Sequence, residues 1–235
     1  MKPPLPTRPW GLPLAAGGRL ADPLVLHADP WLLVIDKPSG LLSQGGRGPE
    51  LADAVPARLE PHWGPLLLPH RLDRDTSGLL LLARDPATHR ALSIALAARQ
   101  VGRTYLADVA GTVAAAAGRL EAALAKARHQ PPQYRVHPAG RPSCTDWWRL
   151  LQGEGWCRLR LEPRTGRSHQ LRVHLAWWGH PILGDPLYGK ARSRRGAQRL
   201  RLHAWRLSLV HPHTGEPLEL EAPLPWRGGP EFLVG

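Results

Sequence analysis

His70-Arg71-Leu72-Asp73-Arg74-Asp75-Thr76-Ser77-Gly78 sets two carboxylates, two guanidiniums and an imidazole directly ahead of the apolar run Leu79-Leu80-Leu81-Leu82-Ala83. A charged loop at the edge of a buried strand exposes side chains on a rigid support, which is where chemistry tends to lie. Asp73 and Asp75 are the nearby carboxylate pair that a glycosidic hydrolase would need. A plain turn is the alternative, because Asp75, Thr76 and Ser77 can satisfy their own backbone. A second polar run, Arg164-Thr165-Gly166-Arg167-Ser168-His169-Gln170-Leu171-Arg172-Val173-His174, carries guanidiniums that can keep a carboxylate ionised and grip both of its oxygens. His169, His174 and His180 lack the HExxH spacing, and the nearest acids, Glu162 and Asp185, lie outside the run, so no metal site is expected.

The elements that must position these runs belong to a chain of 235 residues, 43% hydrophobic, which can build a real core. Thirty-one Lys and Arg against nineteen Asp and Glu leave a formal charge of +12, which points to a polyanion as partner, although an arginine-rich composition also follows from a biased genome. No run approaches the roughly eighteen to twenty apolar residues a bilayer needs, and the proline-rich start lacks a signal-peptide helix. A cytoplasmic protein without membrane contact is expected. Cys144 and Cys157 cannot complete a four-ligand zinc site and read as reduced.

Residues 1–22, rich in Pro and Gly, read as a flexible arm, with one folded domain over 23–235. Leu24 to Gly40 reads as two extended segments broken at Asp29-Pro30 and closed by a turn at Gly40. Glu50 to Glu60 suits a short helix, and Leu79 to Ala83 a buried strand. Pro86 starts an amphipathic helix with Leu92 and Leu96 on one face. Arg103 to Val109, Cys144 to Leu151 and Leu200 to Val210 look extended, as does Trp156 to Leu161, where alternation puts Arg158 and Arg160 on a wet face. Residues 167–178 suit a helix capped by Ser168 and stopped by Gly179. Residues 114–128 stay open between helix and strand. In Trp147-Trp148 and Trp177-Trp178, one ring of each pair is expected in the core. Lys190, Arg192, Arg194, Arg195, Arg199 and Arg201 form a basic cluster in an expected loop, suited to phosphates or to solvent. The order of elements suggests α+β.

The nonapeptide resembles the HRLDxxTSG signature of the RluA family of pseudouridine synthases, and other segments resemble that family in the expected order. Asp36-Lys37-Pro38-Ser39-Gly40-Leu41-Leu42 is similar to its first motif, Arg103-Thr104-Tyr105 to its tyrosine motif, and the run from Arg164 to His174 to its third motif. Gly179-His180-Pro181-Ile182-Leu183-Gly184-Asp185 and Tyr188-Gly189 extend the match, which spans roughly Leu24 to Pro225. The resemblance implies the pseudouridine synthase fold, a mixed and mostly antiparallel sheet with an RNA-binding cleft. It implies Asp73 as nucleophile, Tyr105 as the ring against the target base, and an arginine of the third motif as the ionic partner of Asp73. Arg167 is favoured for that partner, with Arg172 as the alternative. Arg71 is assigned to displacing the flipped nucleotide. His70, Arg74, His169, Gln170, Lys190, Arg192, Arg194 and Arg195 are assigned to RNA, with His169 and Gln170 orienting either the RNA or the active-site loop. The family's frequent N-terminal S4 domain is not expected here.

These residue types suit the reaction. A uracil inside folded RNA must be extruded, and a planar guanidinium can fill the gap. An ionised carboxylate can then stabilise an oxocarbenium-like sugar or attack the sugar or the base, a choice that stays open. Tyr105 can move a proton only if its surroundings favour the phenolate. No cofactor is required. The expected partners are tRNA, 23S rRNA or both, and the protein is expected to be a monomer without an obligate protein partner. A noncatalytic RNA-binding protein on the same scaffold and an RNA N-glycosidic hydrolase remain rivals.

Overall fold

The computed structural model describes residues 21–46, 48–129, 132–226 and Gly229. The expected arm over residues 1–22 lies almost entirely outside them. In chain order the elements begin with β1 (Leu24–Ala28), β2 (Leu32–Lys37), a 3-10 turn (Pro49–Leu51), α1 (Val55–Trp63), β3 (Ser77–Ala83) and α2 (Pro86–Ala97). They continue with β4 (Gly102–Ala110), β5 (Ala117–Glu121), β6 (Leu124–His129), β7 (Pro132–Val136), β8 (Cys144–Gly153) and β9 (Trp156–Pro163). Last come α3 (Gln170–Trp177), α4 (Ala191–Arg195), β10 (Leu202–Val210) and β11 (Pro217–Glu221). No helix among the described residues is long and apolar enough to cross a membrane. The chain divides into two compact units, one reaching to Gly102 and taking up Ala204–Pro225, the other comprising Arg103–His203 and the residues from Trp226 onward.

In the first unit β2 pairs antiparallel with both β1 and β3, and β11 pairs antiparallel with β10. The apolar runs of β2 and β3 are buried on both faces, as continuous hydrophobic strands must be. Leu32, Val34, Leu79, Leu81, Leu92, Leu207 and Leu209 form one core, and each fully buried leucine contributes about 2 kcal/mol. Asp85 caps α2 by accepting the Thr88 N–H at 2.8 Å, while Pro86 occupies the first turn, where its missing N–H costs nothing. α1 departs from the expected Glu50–Glu60. It starts at Val55, with Pro56 tolerated in its first turn, and runs past Pro61 until Gly64, at φ 72°, ends it.

Asp29 ties the β1–β2 turn to the segment after β10. Its carboxylate accepts from the backbone N–H groups of Trp31 (2.7 Å) and Leu32 (2.9 Å) and pairs with His27 (2.8 Å) and His211 (3.0 Å). Burial alone would raise its pKa, but the bonds from Leu32, His27, Trp31 and His211 outweigh burial and lower it from 3.8 to about 2. A carboxyl with a depressed folded-state pKa stabilises the fold above its unfolded value and loses that contribution as pH falls through the folded value. Urea unfolding between pH 5 and pH 2 should therefore show about 2 kcal/mol lost below pH 3.8 in the wild type. The Asp29→Asn variant should lack that part of the acid slope; a slope unchanged by the substitution would remove Asp29 from the account.

The second unit carries the antiparallel order β4-β9-β8-β5 and a separate β6–β7 hairpin, so residues 114–128, left open by the sequence, are largely strand. Arg158 and Arg160 do share a face, but both are half-buried there, Arg158 the more deeply. Arg158 grips buried Asp108 with two bonds of 2.7 and 3.0 Å, and Arg160 lies 4.0 Å from the centroid of the Trp148 ring. Arg201 also binds Asp108, at 3.0 Å, and is buried, which removes it from the basic surface expected around it. That surface includes a short helix, α4, rather than only loop. Trp147 is buried and packs on Trp178 at 4.6 Å, whereas Trp177 is 55% exposed.

Candidate active site

In the first unit Asp73 opens a tight turn in which the Thr76 N–H donates to its carbonyl at 3.2 Å. The first motif grips the main chain of this loop. Buried Lys37 donates its ammonium to the carbonyls of Arg74 (2.9 Å), Leu41 (2.7 Å) and Pro38 (3.0 Å). Gly40 N–H reaches the same Arg74 carbonyl at 2.9 Å, and Ser39 donates to the Asp75 carbonyl at 2.6 Å. The Ser43 hydroxyl donates to the Leu72 carbonyl at 2.7 Å and accepts the Leu72 N–H at 3.0 Å. Anchors at Leu72, Arg74 and Asp75 thus bracket Asp73, whose own side chain is half-buried. Beyond the loop Gly78, at φ 107°, allows close approach: a Cβ there would stand 2.3 Å from the Ala204 carbonyl oxygen.

Around this nucleophile candidate, Arg71 and Arg74 are exposed. Arg74 meets Asp75 only at 3.4 Å with most of its side chain in solvent, a pair of little energetic weight. His70 spends Nε2 accepting the Leu81 N–H at 3.1 Å, which anchors the loop on β3.

In the second unit the third motif is closed by Gln170. Its Oε1 accepts from the Thr165 hydroxyl (2.6 Å) and the Arg167 N–H (3.1 Å), while Nε2 donates to the Cys144 carbonyl (2.9 Å) and to Thr145 Oγ1 (3.0 Å). This side-chain clamp makes a serine cap unnecessary. α3 starts at Gln170, and the residue ahead of it is His169 in the left-handed conformation, φ 55°, instead of the expected Ser168 cap. Thr145 bonds His174 Nδ1 at 3.0 Å, and His174 Nε2 reaches the Ala122 carbonyl at 3.2 Å. Burial pushes the His174 pKa down despite the Ala122 bond, so the ring stays neutral.

Arg172 and Asp185, both buried, face each other through two bonds of 2.8 Å, Nε to Oδ2 and Nη2 to Oδ1. Asp185 Oδ1 also accepts the N–H groups of Leu187 (2.9 Å) and Tyr188 (3.1 Å). Gly184, at φ 72°, is obligatory here, since a Cβ would fall 1.9 Å from the Arg199 carbonyl oxygen. The Tyr188 ring lies 5.2 Å from the Arg172 guanidinium, and its hydroxyl bonds His169 Nδ1 at 2.7 Å. By contrast, the Arg167 side chain is exposed, and its Nε donates to the Pro142 carbonyl at 3.4 Å. Tyr105 is buried on β4 opposite Leu161.

The profile of the RNA pseudouridylate synthase family matches residues 31–177, which hold every motif from β2 through α3. The chain belongs to this family. The dual-specificity RNA pseudouridine synthase RluA of Yersinia pestis is 38% identical over 84% of this chain and 97% of its own length. Ribosomal large subunit pseudouridine synthase D of Haemophilus ducreyi is 34% identical, covering 86% of this chain and 67% of its own. Among solved structures, human RNA pseudouridylate synthase domain containing 1 superposes with a TM-score of 0.72 at 26% identity, over 86% of this chain and 83% of that one. Human domain containing 4 gives 0.68 at 28% identity, over 86% and 88%. The α+β pseudouridine synthase fold is thereby shown.

Against that family pattern, sequence reasoning found the loop of Asp73 and the third motif but missed Lys37, Ser39, Ser43 and Asp185 as their supports. The signal available was faint. Lys37 ends a strand that is apolar from Leu32 to Ile35, and the adjacent Asp36-Lys37 pair is an odd close to such a run unless a charge is satisfied inside. Lys190, Arg192, Arg194 and Arg195 all lie exposed on or beside α4, which Ser193 pins by accepting the Gly184 N–H on its carbonyl at 2.8 Å.

Proposed function

We propose that this chain isomerises particular uridines of tRNA, large-subunit rRNA or both to pseudouridine, with Asp73 as the nucleophile. The observation that carries the reading is the grip on the Asp73 loop: a buried ammonium and two hydroxyls hold carbonyls on both sides of one half-buried carboxylate. A turn serving only to reverse the chain has no use for such a support, whereas a reacting carboxylate does, because small misplacements cost rate.

Residues 23–235 work as one catalytic domain whose motifs are divided between the two compact units. Exposed Arg71 fills the space of the extruded nucleotide. Asp73 stabilises or attacks the reacting carbon while the bond from C1′ to N1 breaks; uracil turns, C5 bonds to C1′, and the C5 proton leaves. Tyr105 holds the ring during that turn. For the cation beside Asp73, burial and rigid anchoring by Asp185 favour Arg172 over exposed Arg167. His70 and Gln170 act through the loops that they hold, His169 orients the third motif, and Arg74, Lys190, Arg192, Arg194 and Arg195 meet phosphates. The isomerisation is redox-neutral and proceeds without a cofactor, in the cytoplasm, on a monomer.

The RluA relatives are named for dual specificity, and this chain spans nearly their whole length, which supports both RNA classes as substrates. Mapping carbodiimide adducts across total RNA tests this. A strain lacking the protein should lose adducts at particular uridines and regain them with the wild-type gene. An unchanged map refutes the assignment, and release of free uracil with abasic sites would make the protein a hydrolase.

A further inference from the structure

A cavity of about 410 Å³ opens in the second unit between the β6–β7 hairpin, the turn at 139–141 and the third-motif loop at 166–168. Lys126, Arg141 and Arg167 line it together with Tyr134, and none of the described residues lining it is acidic. Its frame is fixed. Leu124 and Arg141 exchange backbone bonds of 2.9 and 2.8 Å, and Gly140 passes so close that a Cβ would stand 2.5 Å from the Leu124 carbonyl carbon. Tyr134 donates its backbone N–H to the Tyr188 hydroxyl at 2.9 Å, and its ring meets His169 edge-on at 5.4 Å. The wall of the cavity is therefore tied to the same His169 and Tyr188 that order the third motif. All three cations are exposed, and none forms an ion pair with an acid among the described residues.

Three unneutralised cations around one aromatic ring suit a phosphate joined to a flat ring. The volume falls within the range of pockets for small ligands, roughly 300–1,000 Å³, and is far below that of a duplex. We propose that this cavity is an RNA subsite for one unpaired nucleotide near the target uridine, its phosphate among Lys126, Arg141 and Arg167 and its base against Tyr134. The inference rests on the proposed action on RNA, and it gives Arg167 a binding role in place of the partnership with Asp73.

The test measures binding rather than turnover. A fluorescein-labelled stem-loop RNA with unpaired uridines is titrated onto the full chain carrying Asp73→Asn, at several salt concentrations. Lys126→Ala with Arg141→Ala should weaken binding at least about tenfold at low salt and flatten the dependence of log K on log salt by up to about 0.7, as expected when one single-strand phosphate is no longer neutralised. Tyr134→Ala should cost at least about fivefold, while Tyr134→Phe keeps the affinity. Thermal unfolding of each variant separates these effects from loss of fold. Unchanged affinity and slope overturn the proposal, as does an equal loss from Arg90→Ala, an exposed cation on α2 far along the sequence from the cavity lining. Failure of the functional assignment would look different: the wild type would yield no pseudouridine, whatever the binding data show.

Discussion

Asp73→Asn is expected to abolish pseudouridine formation, lowering the single-turnover rate on the order of 10⁴-fold, while RNA affinity stays within about twofold. Asparagine keeps the size of the side chain but supplies neither a negative charge for an oxocarbenium-like sugar nor an oxygen able to attack. The anchors of the loop at Leu72, Arg74 and Asp75 are main-chain carbonyls, which the substitution leaves in place. Rate and affinity should therefore separate. Primer extension after carbodiimide treatment reads the product, and fluorescence titration reads the binding. Undiminished product would take Asp73 out of the chemistry and revive the reading of the loop as a plain turn.

The second large effect is expected at a residue that grips the main chain of the Asp73 loop. Lys37→Met keeps the length of the buried chain but removes the ammonium, leaving the carbonyls of Pro38, Leu41 and Arg74 without their shared donor. The Arg74 carbonyl keeps the Gly40 N–H, so the cost falls on the Leu41 and Pro38 carbonyls; at about 1–3 kcal/mol for an unsatisfied buried acceptor, and with partial relaxation, a loss of about 2–3 kcal/mol and of roughly 4–12 °C in Tm is expected. The Arg74 carbonyl follows directly on Asp73, so the carboxylate should also shift, with a rate loss of roughly 10²-fold in the fraction that remains folded. Lys37→Arg should not restore it, because a planar fork cannot point at three carbonyls converging on one atom. A variant as stable and as fast as the wild type would show that those carbonyls find other donors.

These two residues also mark how far the chain could be read without its fold. Asp73 announced itself through local contrast, a dense polar nonapeptide against an apolar run, and the order of motifs identified the chemistry. Lys37 did not, since its acceptors include Arg74, thirty-seven positions away. The same distance hid the fate of Arg158 and Arg201, which bind Asp108 across 50 and 93 positions and so leave the wet surface that alternation assigned to one and the basic patch that composition assigned to the other. Arg167 and Arg172 are equivalent as letters; burial and Asp185 distinguish them.

Residue order alone determined the strands around Asp29, the buried run of β3, the start of α2 at Pro86, and the polar loop of Asp73 as the candidate site, because periodicity and turn chemistry act over a few positions. Tertiary structure decided which charges are interior, where α3 begins, and that residues 117–121 and 124–129 are strands. Those outcomes depend on partners brought close only when the sheets assemble, and an ion or a hydrogen-bonding group pays its desolvation only where such a partner is waiting.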